Sequence, residues 1–239
     1  MALIHLIRHG QASFGKKDYD ELSELGRRQA DVLGAHLGRS RLRLDAVLSG
    51  QLRRQRDTKD TMLAALGKRA PRAEEHHAFN EYDHLAVIRA YLPLFMARVG
   101  EPRGITRADV VTDPKLFEFA FRFMLKAWMD TQPHEHDELE DWRDFCRRVG
   151  QGLSEVLATY GPKSQVAIVT SGGVISAMLR TVLGLSNKRT LSMNWSIYNA
   201  SITQLYYGRS SRHEDALLLG FNNVAHLELA GGREFVTFR

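Results

Sequence analysis

The stretch Ala2-Leu3-Ile4-His5-Leu6-Ile7-Arg8-His9-Gly10 is a short apolar run closed by a cation, a titratable ring and a glycine. A run of this kind, bounded by polar residues, predicts a buried strand that delivers Arg8 and His9 to its carboxyl end. Working outward, Gln165-Val166-Ala167-Ile168-Val169-Thr170 is the clearest buried strand. Ser171-Gly172-Gly173 reads as a tight turn after it, and Val174 to Leu183 as an apolar helix. Asp45 to Ser49 is another strand, leading through Gly50 into a basic helix from Leu52 to Leu66 that Gly67 ends. Ser23 opens a helix to Leu37, with Ala30, Leu33, Ala35 and Leu37 near helical spacing. The polar stretch from Arg69 to His77 leads to Ala78-Phe79-Asn80-Glu81-Tyr82, a strand end or loop carrying Glu81, and Ile197 to Tyr207 and Ala216 to Phe221 read as later strands. Strands alternating with helices predict an α/β fold, a three-layer α/β/α sandwich with a mainly parallel central sheet covered on both faces.

Residues 85–160 depart from this alternation. Their helical patterns, among them Pro114 to Met129 and Leu139 to Leu157, are interrupted at Pro93, Gly100-Glu101-Pro102 and Gln132-Pro133. We expect a helical insertion covering the site, within a single domain spanning 1–239. With 239 residues, 44% hydrophobic and 26% charged, the composition is that of an ordinary globular protein. The net charge of +5 is a modest basic excess. No basic run is interleaved with aromatics and no helix-turn-helix or RNA-binding signature occurs, which argues against a nucleic-acid partner. The lone Cys146 excludes an intramolecular disulfide and sits in a charged helical stretch as a packing residue. No apolar run approaches a membrane-spanning length and no leader pattern precedes Arg8, so the expected setting is cytoplasmic, without a membrane partner.

Taken alone, His9 is open to four readings: nucleophile, general base, metal ligand or packing residue. Beside it, Arg8 offers fixed donors that match phosphate oxygens at any working pH. Arg53, Arg54 and Arg56 head the basic helix, and three arginines in four residues cannot all face one pocket. At Thr170-Ser171-Gly172-Gly173 a strand passes into a helix, where backbone N–H groups meet an anion. The motif lacks the lysine of a P-loop and is not the Gly-x-Ser-x-Gly elbow, so a Ser171 nucleophile has no named base. Glu81 can donate a proton to a leaving oxygen if burial raises its pKa. His76, His77, His84, His134 and His136 do not match a zinc spacing and are expected as exposed loop histidines, with no metal and no cofactor.

Together these pieces resemble the histidine phosphatase superfamily, the phosphoglycerate mutase-like proteins. Leu6-Ile7-Arg8-His9-Gly10 matches the family's strand ending in Arg-His-Gly, and Leu22-Ser23-Glu24-Leu25-Gly26-Arg27-Arg28-Gln29-Ala30 matches its next segment. Gly50 to Thr58 matches a third motif and selects Arg54 over Arg53, while Phe79-Asn80-Glu81-Tyr82-Asp83 selects Glu81, with Asp83 as a weaker substitute. Two departures stand out. Ser171 occupies the place of the family's second histidine, and Gly15 that of a frequent asparagine. The matches run from Leu3 to about Thr61 and from Val166 to Leu183.

The resemblance implies hydrolysis of a small phosphomonoester through a phosphohistidine at His9. Arg8, Arg54, Ser171 and Gly172 would hold the phosphoryl group and Glu81 would protonate the leaving group. It leaves two alternatives: a phosphate-ligand-binding protein with little turnover, because Ser171 keeps a hydrogen bond but no charge, and a phosphomutase, which shares the intermediate. Substrate choice would fall to 85–160, whose Arg89, Arg98 and Arg103 are expected to be exposed. A homodimer is compatible with the sequence and not demanded by it.

Overall fold

The computed structural model describes residues 2–13, 20–40, 42–131, 138–208 and 215–238, so Gly15, Gln132-Pro133, His134 and His136 lie outside the described residues. The strands are β1 (Ala2–Arg8), β2 (Ala46–Ser49), β3 (Arg72–Glu75), β4 (Gln165–Thr170), β5 (Ile202–Tyr207) and β6 (Leu217–Asn223). They form one six-stranded sheet in the order β3-β2-β4-β1-β5-β6. The β1–β4, β2–β4 and β2–β3 pairs are parallel, and β5 alone runs against its neighbours β1 and β6.

β1 is apolar almost throughout because it lies between β4 and β5 and is covered on both faces. On one face Ile4, Leu6, Leu48 and Ile168 pack with Phe145, Leu153, Ile175 and Leu179. On the other, Ile7, Val47, Ala167 and Val169 pack with Leu33, Leu37, Met62 and Leu66. Alternation along each strand thus feeds two cores, giving the three-layer α/β/α sandwich. Ile4 is 1% exposed, so truncating it to alanine is expected to cost about 2–5 kcal/mol.

The second core is roofed by α1 (Glu24–Arg39) and α2 (Arg53–Leu66). Ser23 starts α1 by accepting the Gly26 N–H at 3.0 Å. Gly67, at φ 63°, ends α2 in a backbone region that favours glycine. The first core is covered by α3 (His84–Phe95), α5 (Pro114–Asp130), α6 (Trp142–Tyr160) and α7 (Gly172–Leu183), with α4 (Arg107–Thr112) and α8 (Asn187–Asn194) beside them. α9 (Ala225–Gly231) packs near α1. No helix of the described residues is long and apolar enough to cross a membrane.

Several local expectations are corrected. The polar segment before His77 contains β3, whose side chains are mostly outward at the sheet edge, so no apolar pattern announces it. Pro93 does not break its helix. It sits two residues before the end of α3 and supplies no N–H to the carbonyl four residues back, yet the helix continues past it and the chain then widens into a π turn at Met96–Gly100. Gly172 and Gly173 belong to the first turn of α7 rather than to a separate turn. The strand expected from Ile197 begins only at Ile202: before it, the Ala200 N–H bonds Arg8 O at the very end of β1 and Asn199 Nδ2 bonds His9 O beyond it, outside the regular ladder.

Candidate active site

Parallel pairing places Arg8 opposite Thr170 and Ser49 opposite Val169, so the chain after β1, β2 and β4 emerges at one edge of the sheet. Ligand sites in open α/β sheets form at such carboxyl edges. His9 is 4% exposed there. Its backbone N–H donates to Thr170 O at 2.8 Å. The ring nitrogen Nδ1 lies 2.7 Å from Gly10 O, and Nε2 accepts from Arg54 Nε at 3.1 Å. A carbonyl can only accept and a guanidinium N–H can only donate, so the proton is on Nδ1 and the lone pair on Nε2. Burial, followed by the Arg54 and Arg8 charges, holds the His9 pKa well below 6.5. The ring is therefore neutral at pH 7.

Arg54 turns inward. Its Nη1 pairs with Asp20 Oδ1 at 2.6 Å, while Asp20 Oδ2 accepts the Arg53 N–H at 2.7 Å and so caps α2. Arg53 turns outward to Glu21 and Asp57. Arg8 Nη1 donates to Ile197 O and to Phe238 O.

Glu81, on the loop before α3, reaches the start of α7, where its Oε2 accepts the Gly173 N–H at 2.9 Å. The Tyr82 N–H donates to Oε1 at 3.2 Å. Burial raises the Glu81 pKa, opposed by these donors and by the charges of Arg54 and Arg8. Gly173 is required for this approach, because a Cβ would stand 2.2 Å from Glu81 Oε1. Ser171 is 1% exposed, and its Oγ accepts from Gln55 Nε2 at 2.9 Å. A Cβ on Gly172 would lie 2.8 Å from Asn194 Oδ1 and 3.9 Å from Arg8 Nε, so the Gly172 backbone faces Arg8. His9, Arg8, Arg54, Glu81, Ser171 and Gly172 thus gather at one sheet edge.

Two neighbours escaped the sequence reading. Asp20 lies just before the Leu22-Ser23 segment and matches no motif there. No local signal marks it, because its partners Arg53 and Arg54 lie more than thirty residues on. His84 was expected to be exposed but is half-buried as the first residue of α3, where burial and the Arg54 charge lower its pKa. His76 is likewise half-buried, its Nε2 2.9 Å from Glu155 Oε2. His77, Arg98 and Arg103 are exposed, and Arg89 pairs with Asp83 at 3.7 Å. Cys146 is half-buried on α6, its thiol pushed up to about 12 by burial, which leaves it unreactive.

The arrangement is an anion site with a poised imidazole. Two guanidiniums and a helix N-terminus surround a neutral ring, and a carboxyl with a raised pKa stands opposite. The model of the histidine phosphatase superfamily, branch 1, matches residues 4–87 and 103–217, and the chain belongs to that superfamily. Among solved structures it is similar to a mycobacterial glucosyl-3-phosphoglycerate phosphatase, at 24% identity and TM-score 0.62 over 93% of this chain and 99% of that one. It is also similar to a phosphoglycerate mutase from Bacillus anthracis, at 18% identity and TM-score 0.63 over 97% and 96%. A phosphoserine phosphatase from Entamoeba histolytica, solved with 3-phosphoglyceric acid, aligns at 18% identity and TM-score 0.61 over 95% and 100%. These relatives are phosphatases and a phosphomutase, and at such identities they establish the shared fold. No curated protein matches the chain.

Proposed function

We propose that the protein is a phosphatase that hydrolyses a small phosphomonoester through a phosphohistidine at His9. The observation that carries this reading is the state of the His9 ring: neutral, buried, and presenting the Nε2 lone pair to Arg54. Nε2 attacks phosphorus in line while Arg8 and Arg54 neutralise the equatorial oxygens, with Ser171 Oγ and the Gly172 backbone beside them. Glu81 gives its proton to the departing oxygen, and as a carboxylate it then takes one from the water that cleaves the phosphohistidine. Positioning and charge supply most of the rate in phosphoryl transfer, so two arginines serve without a metal. The chain acts as one domain in which the helices of 85–160 cover the site and select the substrate.

Ser171 favours a second reading, a phosphate-binding protein with little turnover. In the place where the family carries its second histidine, a hydroxyl keeps a hydrogen bond but brings no cation. Loss of one such contact in a preorganised site costs on the order of 10² to 10³ in rate. A mutase would share every step up to the acceptor.

The test is turnover of a phosphomonoester panel that includes phosphoserine and 3-phosphoglycerate, without added metal, by the wild type, His9→Ala and Ser171→His. Activity in the wild type that disappears in His9→Ala is the expected result. Activity that survives His9→Ala refutes the phosphohistidine. An inert wild type that binds vanadate and gains turnover from Ser171→His establishes the binding protein instead.

A further inference from the structure

The Leu22 to Ala30 segment contributes no group to the chemistry above, yet one of its side chains reaches the turn that follows His9. Gln29 is fully buried, and its Oε1 accepts the Gln11 N–H at 2.8 Å. Its Nε2 donates to Phe235 O at 2.8 Å and to Thr237 Oγ1 at 3.0 Å. The orientation of the amide is forced, because Gln11 N–H can only donate and Phe235 O can only accept. Having accepted from Gln29, Thr237 Oγ1 donates its proton to Asn199 Oδ1 at 3.0 Å. Asn199, also fully buried, then presents Nδ2 to His9 O at 3.2 Å. The backbone N–H of Asn199 closes the loop on Thr237 O at 2.7 Å.

The circuit therefore grips the turn after β1 from both sides, at His9 O and at Gln11 N. The second grip matters most. Gln11 N–H and Gly10 C=O belong to one planar peptide unit, so fixing the direction of one fixes the other. Gly10 O is the acceptor of the His9 Nδ1 proton.

We infer that Gln29 is a positioning residue that holds His9 in its Nδ1-protonated tautomer by orienting the Gly10–Gln11 peptide, and that Thr237 steadies the Gln29 amide by tying it to Asn199. The inference rests on the phosphohistidine reading for its kinetic consequence, but not for the tautomer itself. With Gln29 replaced by a residue of similar length and no acceptor, the peptide plane is free to rotate and Gly10 O leaves Nδ1. Only the Arg54 Nε–H then still opposes a proton on Nε2, and a share of the imidazole population shifts to that tautomer. A molecule with the proton on Nε2 has its lone pair on Nδ1, turned away from the attacking position.

The experiment compares Gln29→Met, Thr237→Val and Thr237→Ser with the wild type by nitrogen NMR of the His9 ring, assigned by its loss in His9→Asn, and by kcat and KM. Gln29→Met is expected to show mixed tautomers and a kcat lower on the order of 10²-fold with KM little changed. Thr237→Val is expected to move both readouts the same way by a smaller factor, and Thr237→Ser to restore them. A wild-type tautomer and kcat in Gln29→Met overturn the inference. If Gln29→Met does not fold, a folded Thr237→Val that retains the wild-type tautomer overturns it as well. A wild type without turnover refutes the phosphatase reading alone, since the ring nitrogens still decide whether Gln29 sets the tautomer.

Discussion

Gly173→Ala adds one methyl to the first turn of α7, and that Cβ would lie 2.2 Å from Glu81 Oε1 and 2.7 Å from Tyr82 Cε1. The Tyr82 ring has little room to yield, being packed against Trp128 at 4.9 Å and Phe145 at 5.7 Å between centroids. The carboxylate is the mobile partner. To reach even 3.0 Å from 2.2 Å, Oε1 retreats by about 0.8 Å, and the turn of the carboxylate draws Oε2 off the Gly173 N–H. Alanine favours a helix over glycine by up to about 1 kcal/mol, and overpacking costs about 1–3 kcal/mol, so the fold survives with a small net change. The chemistry does not fare as well. A misplacement near 1 Å costs on the order of 10²-fold, and a general acid contributes roughly 10² to 10⁴-fold. The assay is kcat on alkyl and aryl phosphates. Alkyl alkoxides need the Glu81 proton and aryl phenolates largely do not, so the loss should fall on the alkyl substrates. Equal losses on both classes would place the effect in phosphate binding. No loss on either would show that Glu81 is not the acid.

Further outcomes follow from the same geometry. Arg54→Met removes a charge that lowers the His9 pKa, so an NMR titration should show the His9 midpoint moving upward, and an unmoved midpoint would contradict the pairing. His226, buried beneath Ala200 with Nε2 3.0 Å from its carbonyl, has its pKa lowered to about 4 by burial. Its folded pKa is depressed, so the folded state takes up fewer protons as pH falls below 6.5. Stability should drop by roughly 3 kcal/mol between pH 6.5 and 4, a slope that His226→Gln flattens in pH-dependent denaturation. Gly26→Ala would place a Cβ 2.1 Å from Gln11 O, and its midpoint in urea should fall by the equivalent of about 1–3 kcal/mol, with turnover lost alongside.

Much of this was legible because it is written in local patterns. The apolar run into Arg8 announces β1, and Ser23 and Gly67 mark helix ends through a cap and a left-handed residue. Motif spacing separates Arg54, which faces His9, from Arg53, which faces Glu21. What stayed hidden depends on partners distant in sequence. β3 has no apolar face to signal it. His84 is half-buried at the start of α3, near enough to Arg54 and Asp20 to feel their charges. Gln29 lies in a matched motif, but nothing in that motif shows what its side chain holds until Thr237 and Asn199 close around it. Ala200, at φ 52°, carries a conformation uncommon for alanine that no composition rule announces, beside its hydrogen bond to Arg8 O.

The central place of β1 has a consequence for synthesis. Leu3 finds its sheet partners at Gln165 and Tyr206, among the longest spans the chain must close. At roughly 5–20 residues per second, the ribosome delivers the first of those partners some 8 to 30 s after Leu3. During that interval a strand built to be covered on both faces is bare to water and to other nascent chains. Yield in a heterologous host should therefore respond to translation speed and to holdase chaperones, while fragments ending before β4 should aggregate whatever their helical content.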